Sequence, residues 1–211
     1  MPGSSSICQR FPACGIQLPL FLCPSRGRIG PFGNNGNTNY VNTANPVPSL
    51  TRADYAANVG DVQSDEMSSG PASLADVDNG TYALGNTDLY TGIVFRRSKI
   101  TFAMIRRGTS NTYMAGKKYL NPDHFGDRGD GSDNENMYFG FDNDICRDTY
   151  SPPMQDLAGF PDQQRFGSNH TGSVNMLYWD GSVGNISFSV DPAIHKSEGN
   201  RRASAARTPP E

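Results

Sequence analysis

The feature that most narrows the folds open to this chain is the pair Asp180-Gly181, set between two runs of β-forming residues. Ser173-Val174-Asn175-Met176-Leu177-Tyr178-Trp179 precedes it, and Val183-Gly184-Asn185-Ile186-Ser187-Phe188-Ser189-Val190 follows it. Asp-Gly is a favoured two-residue hairpin turn because both central positions can reach positive φ, and the flanks are β-branched, aromatic and partly alternating. The expectation is therefore a C-terminal β-hairpin on a two-residue turn. The polar stretch Asn169-His170-Thr171-Gly172, which carries one of only three histidines, leads into its first strand.

The rest of the chain points the same way. Hydrophobic residues make up 36% of the 211, while 23 glycines, 15 prolines and 18 asparagines supply abundant turn formers. The acids divide into 17 Asp and 4 Glu. Asp favours turns and caps where Glu fills helices, so the bias predicts a loop-rich β protein with little helix. One domain is the natural reading of this length. A net charge of −3 gives no general attraction to nucleic acid. No stretch approaches the roughly 20 apolar residues that span a bilayer; the longest run, 18–23, contains Pro19 and is followed by Pro24. Residues 1–17 lack the apolar core and preceding basic region of a signal peptide, so no leader or anchor is expected in the chain as given. Cys8, Cys14, Cys23 and Cys146 form no CxxC and no zinc spacing; a bridge such as Cys23 to Cys146 is open if the chain is exported, but the count cannot choose a pairing.

Along the chain, 1–17 reads as a poorly ordered arm, 18–195 as the globular head and 196–211 as a basic, disordered tail. Strands are expected at 17–25, 51–60, 92–95 and 113–120, with 98–105 a strand or a helix entry. Irregular loops are expected at 27–45, 61–88 and 121–162, the last acidic and interrupted by Met137-Tyr138-Phe139-Gly140-Phe141. Asp191 and Pro192 suit the N-cap and first position of a short helical cap.

Five blocks carry a resemblance. Leu22-Cys23-Pro24-Ser25, Asp54-Tyr55-Ala56-Ala57-Asn58-Val59-Gly60, Gly92-Ile93-Val94-Phe95, Ile105 with Gly108-Thr109-Ser110-Asn111-Thr112, and His170 with Asp180-Gly181-Ser182-Val183 occur in the order of a bacterial prepilin-type (pseudopilin-like) family of unknown function that ends in a His-x9-Asp-Gly box. The resemblance implies a β-rich α+β fold, an antiparallel sheet with long irregular loops, and an extracytoplasmic head normally carried on an N-terminal prepilin helix. It also implies pilin-like or secretion-system subunits as partners. That helix is missing from residues 1–17. Where the family usually has acids, before the Gly of the Gly-Thr-Ser-Asn-Thr turn and after the Gly of the next strand, this chain has Arg107 and Lys117.

Candidate chemistry is sparse. His170 with Asp180 suggests an acid/base pair, but a turn residue and the entry of its strand lie roughly 30 Å apart along an extended chain. A histidine bonding across the sheet and a turn aspartate are the simpler readings. Gly108 to Thr112 lacks the parts of a phosphate loop or a nucleophile elbow and reads as a backbone-bonded connection. Asp127, Asp130, Asp133 and Glu135 offer the hard oxygens calcium prefers, without EF-hand spacing; pseudopilin heads often carry calcium in a C-terminal loop, and a solvated acidic loop is the competing reading. Tyr138, Phe139, Phe141, Tyr178 and Trp179 are expected in the core rather than as a sugar platform. With no catalytic constellation read from the residues, the resemblance implies a non-enzymatic head domain, a structural or interaction component of a secretion or pilus-like assembly. The alternatives are an extracellular solute- or carbohydrate-binding module, and a hydrolase that would need another acid beside His170.

Overall fold

A computed structural model describes residues 13–34, 47–63, 74–82 and 86–204. Most of the expected arm (1–12, with Cys8), the end of the tail (205–211) and parts of the loops at 27–45 and 61–88 fall outside them.

The hairpin is the framework. β8 (Ser173–Tyr178) places Val174 and Met176 in the core while their neighbours stay part-exposed, the period-two alternation of a half-buried strand. β9 (Val183–Ser187) pairs with it antiparallel, from Ser173 opposite Ser187 to Leu177 opposite Val183. The connection is longer than two residues. Gly181 N–H bonds Tyr178 O at 3.0 Å and Tyr178 N–H bonds Ser182 O at 2.8 Å, and only Gly181 has positive φ, at 88°. A type I turn followed by a left-handed glycine fits this pattern, so Asp180 needs no unusual backbone and instead accepts bonds from the Ser182 amide and hydroxyl.

Three more strands complete the main sheet: β3 (Tyr55–Asn58), β4 (Tyr113–Lys117) and β5 (Cys146–Arg147). The order is β5-β3-β4-β8-β9, antiparallel except where β5 joins β3 in parallel. Gly116 lets β4 and β8 approach, because a Cβ there would run into the Met176 sulfur. Two small sheets flank this one, β1 (Phe32–Gly33) with β2 (Ser49–Leu50), and β6 (Met154–Gln155) with β7 (Gly167–Ser168). Among the described residues, helix is confined to α1 (Leu74–Asp78), α2 (Pro192–Gly199) and short 3-10 turns. The result is a small α+β, sheet-rich protein. Its apolar core gathers Ala56, Tyr113, Phe166, Val174 and Met176 beneath the sheet, with Val59, Tyr90 and Cys146 in a second cluster.

Several expectations need correction. Residues 17–25 are two 3-10 turns, Pro19–Phe21 and Pro24–Arg26, each opened by a proline whose fixed φ suits a first helical position; Leu18 and Leu20 face solvent. Residues 92–95 form bends, and 98–105 contains the 3-10 turn Phe102–Met104. The arm is not loose from residue 14 onward: Cys14 packs on Val47 and Leu50, and the Gln17 side chain bonds both the amide and the carbonyl of Arg52. The expected tail boundary at 196 cuts through α2, which Asp191 caps by accepting from Ala193 and Ile194. Beyond it Arg201 is buried, donating to Tyr90 O at 2.9 Å and to Gly92 O, with its guanidinium over the Phe95 ring. Tyr138 and Phe139 are exposed rather than core, whereas Phe141 meets Tyr90 edge-on.

Candidate functional site

The 121–162 segment is not a solvated acidic loop. Asp130, Ser132, Asp133, Asn136, Asn143 and Asp144 are all buried, and the segment closes over cations delivered from distant parts of the chain. Asp133 sits among three of them, Arg28, Arg52 (Nη1 to Oδ2 3.3 Å) and Lys118 (Nζ to Oδ1 2.8 Å). Burial opposes its charge, yet Lys118, Arg28 and Arg52 outweigh it and hold the carboxyl below the usual range. Arg26 grips Asp156 with both Nε (2.8 Å) and Nη2 (3.0 Å) and reaches Asp54 at 3.2 Å. Arg28 and Arg52 lie on the Phe32 ring, each 4.7 Å from its centre. Asp144 fares differently: burial drives its carboxyl well above the ordinary value, against the pull of Lys118.

The four acids singled out for calcium are therefore dispersed among other partners. Asp127 accepts from Gly129 N–H and faces His124, Asp130 accepts from Asn121 and Ser132, Asp133 holds its three cations, and Glu135 pairs with Arg128 at 2.9 Å. Among the described residues, no three His, Cys, Asp or Glu side chains gather as a metal site would need.

Asp54 links this buried ionic cluster to the surface. Its Oδ1 holds Arg28 at 2.7 Å, and its Oδ2 accepts the Cys23 amide at 2.6 Å. Cys23 precedes the Pro24–Arg26 turn, whose carbonyl-to-amide bond from Cys23 to Arg26 is 3.0 Å and which Gly27 ends in left-handed conformation. That tight turn folds Ser25 back over the thiol, Oγ 2.8 Å from Sγ. From β4, Lys117 brings Nζ to 2.8 Å from the same sulfur and also contacts His170 Nε2. His170, just before β8, lies 3.8 Å from Sγ and 2.8 Å from Ser25 Oγ through Nε2. Asn169 bonds the Ser25 hydroxyl and carbonyl, and Ser168 Oγ accepts the His170 amide at 3.1 Å, fixing the approach of the ring.

The electrostatics follow from these contacts. Burial raises the cost of a Cys23 thiolate, but hydrogen bonds from Lys117, Ser25 and His170 more than offset it, bringing the thiol down to about 6. Cys146, buried among Val59 and Tyr90, is pushed the other way, to about 12. Cys14, Cys23 and Cys146 are all free thiols, so the Cys23 to Cys146 bridge is not formed. The arrangement supplies a stabilised thiolate with an ammonium, an imidazole and a hydroxyl in contact. Among the described residues, the ring partners of His170 are the Cys23 sulfur, the Ser25 hydroxyl and the Lys117 ammonium, with no carboxylate among them.

Asp180 lies at the other end of β8. There Trp179 N–H donates to Thr112 O at 3.0 Å, Thr112 Oγ1 bonds Gly108 O at 2.9 Å, and Ser182 with Ser110 holds the Asp180 carboxyl below the usual range. The singled-out residues thus divide into two groups, Cys23, Pro24 and Ser25 with His170 at one end, and Gly108, Thr109, Ser110, Asn111 and Thr112 with Asp180 and Gly181 at the other. Tyr178 packs on Tyr113 with ring centres 5.2 Å apart and reaches Glu198, while Trp179 meets the exposed Phe102 edge-on. Of the two sign-reversed positions, Lys117 is the thiolate's ammonium, and Arg107 ties the Asn111 carbonyl to Ser197 of α2. Sequence reasoning noticed both reversals without placing either beside a partner, and it missed Asp54 and Asn169 as site residues.

The geometry defines a class first: a small sheet-rich domain in which scattered short motifs converge at the two ends of a C-terminal hairpin. A family profile described as "Protein of unknown function (DUF1559)" matches residues 4–193, and the chain belongs to that family. Neither the curated proteins nor the solved structures contain a match.

Proposed function

We propose that the chain is a non-enzymatic, prepilin-like head domain that works by contact, as a structural or interaction component of a secretion or pilus-like assembly outside the cytoplasm. The observation that carries this reading is the β9 edge. β9 is the last strand of the main sheet, bonded among the described residues only to β8, and it runs Val183-Gly184-Asn185-Ile186-Ser187 with no charge and no proline. Such an edge is a template for strand addition, and proteins that do not use it usually blunt it. Val183 is 66% exposed, and Phe102, across the Asp180 turn, is 71% exposed. No helix among the described residues is long and apolar enough to cross a membrane.

A photo-crosslinking residue in place of Asn185, in the full protein in bacteria that make it, tests the reading. The expected result is an envelope fraction in which the head is joined to another pilin-like subunit. Recovery of uncrosslinked head in the cytoplasm would refute it.

A further inference from the structure

We propose that Cys23 and Lys117 form an oxidant-sensitive pair: a peroxide converts the Cys23 thiol to a sulfenic acid, and the Lys117 amine captures it as a reversible sulfur–nitrogen cross-link. Four observations support this. Lys117 Nζ is already 2.8 Å from Sγ, so the bond needs an approach of the two atoms and no rearrangement of the backbone. Both residues are held from behind, Cys23 by Asp54 through its amide and Lys117 by its place in β4. His170 and Ser25 contact both the sulfur and each other and cover it, so that Cys23 is only 2% exposed and an oxidant that reaches it must be as small as hydrogen peroxide. The thiolate form that attacks peroxide is the form this site stabilises.

The chemistry balances with hydrogen peroxide as the only added reagent. The thiolate attacks one peroxide oxygen, the O–O bond breaks, and the departing hydroxide takes a proton from the Lys117 ammonium and leaves as water. Sulfur is oxidised by two electrons and the peroxide is reduced. That proton transfer produces a neutral amine beside a sulfenic acid. The amine nitrogen then attacks sulfur, the S–O bond breaks, and the hydroxyl leaves as a second water with the proton lost from nitrogen. Burial favours this over further oxidation because the nearest nucleophile is intramolecular, as in the condensation of a sulfenic acid with a neighbouring nitrogen. A closed bond would tie β4 to the segment before the Pro24–Arg26 turn.

The test is peroxide treatment of the full-length protein followed by digestion and mass spectrometry without reductant. The expected product is a cross-linked pair of peptides containing Cys23 and Lys117, lighter than their sum by two hydrogens and separated again by dithiothreitol. In Lys117→Arg the cross-link should vanish and a sulfenic-acid probe should label Cys23 instead, while Cys146 stays unmodified in both proteins. The inference is overturned if native Cys23 survives peroxide that oxidises a free cysteine peptide. It is equally overturned if Cys23 passes to sulfinic acid with no cross-linked pair; both readouts use the unaltered protein and do not depend on the variant folding.

Discussion

Replacing Asp133 by Asn should cost far more than a change of one atom suggests. The side chain keeps its shape, but Arg28, Arg52 and Lys118, all essentially buried, would then face a neutral amide in place of their shared carboxylate. Breaking a buried ion pair by removing one partner costs about 3–5 kcal/mol, because the remaining charge stays desolvated. Against a total stability on the order of 5–15 kcal/mol this is severe. At about 2–4 °C per kcal/mol for a chain of this size, the melting temperature should drop by roughly 6–20 °C. Urea unfolding followed by circular dichroism measures it directly. Adding Lys118→Met removes one of the stranded cations, so the double variant should be less destabilised than the sum of the singles, with a coupling of about 0.5–3 kcal/mol. The pH dependence has a definite sign. The Asp133 carboxyl lies below the ordinary aspartate value of 3.8 in the folded state, so its contribution is present above about pH 4 and is lost as pH falls through the folded value. A loss below about 1 kcal/mol for Asp133→Asn, or strict additivity with Lys118→Met, would refute the idea that this carboxylate neutralises the cluster.

Other expectations follow from single residues. His195 is fully buried beside Tyr113, neither ring nitrogen has a hydrogen-bond partner among the described residues, and burial pushes it to about 4. Its neutral form therefore adds stability above about pH 6.5 that is lost toward pH 4, on the order of 3 kcal/mol, and His195→Phe should flatten that part of a pH–stability curve. Asp191→Ala should lower stability by about 0.5–2 kcal/mol through loss of the α2 cap, read from a shift in urea midpoint. Gly60→Ala should yield little folded protein, since φ is 125° and a Cβ would meet Thr91 and lie 2.6 Å from the Gly92 nitrogen; Gly181→Ala, at positive φ in open space, should cost only about 1 kcal/mol. Expression yield and thermal melting separate the two.

The hairpin was legible because its information is local: Asp180-Gly181 sets the turn, and Val174 and Met176 alternate across six residues of strand. The turn's exact form was not, since the choice between a two-residue turn and one with an extra left-handed glycine depends on how Tyr178 and Ser182 meet. The wide separation of His170 from Asp180 followed from strand rise alone. Residues 17–25 misled because an apolar run containing prolines fits a short strand in composition, and only the exposure of Leu18 and Leu20 reveals turns. Asp133 looked solvated for a different reason. Its partners Arg28 and Arg52 lie 105 and 81 residues away, and a pattern read in short windows cannot bring such charges together. Cys23 and His170, 147 residues apart, were each singled out yet could not be paired for the same reason.

Asp54 restrains more than one process. One of its oxygens anchors the interior ions and the other holds the amide of the reactive cysteine, so inherited change at this position meets two demands at once. An Asn there would disturb the charge, a Glu the reach, and an Ala both. Loss of the interior ion cluster would therefore be felt at the sulfur, through this one carboxylate.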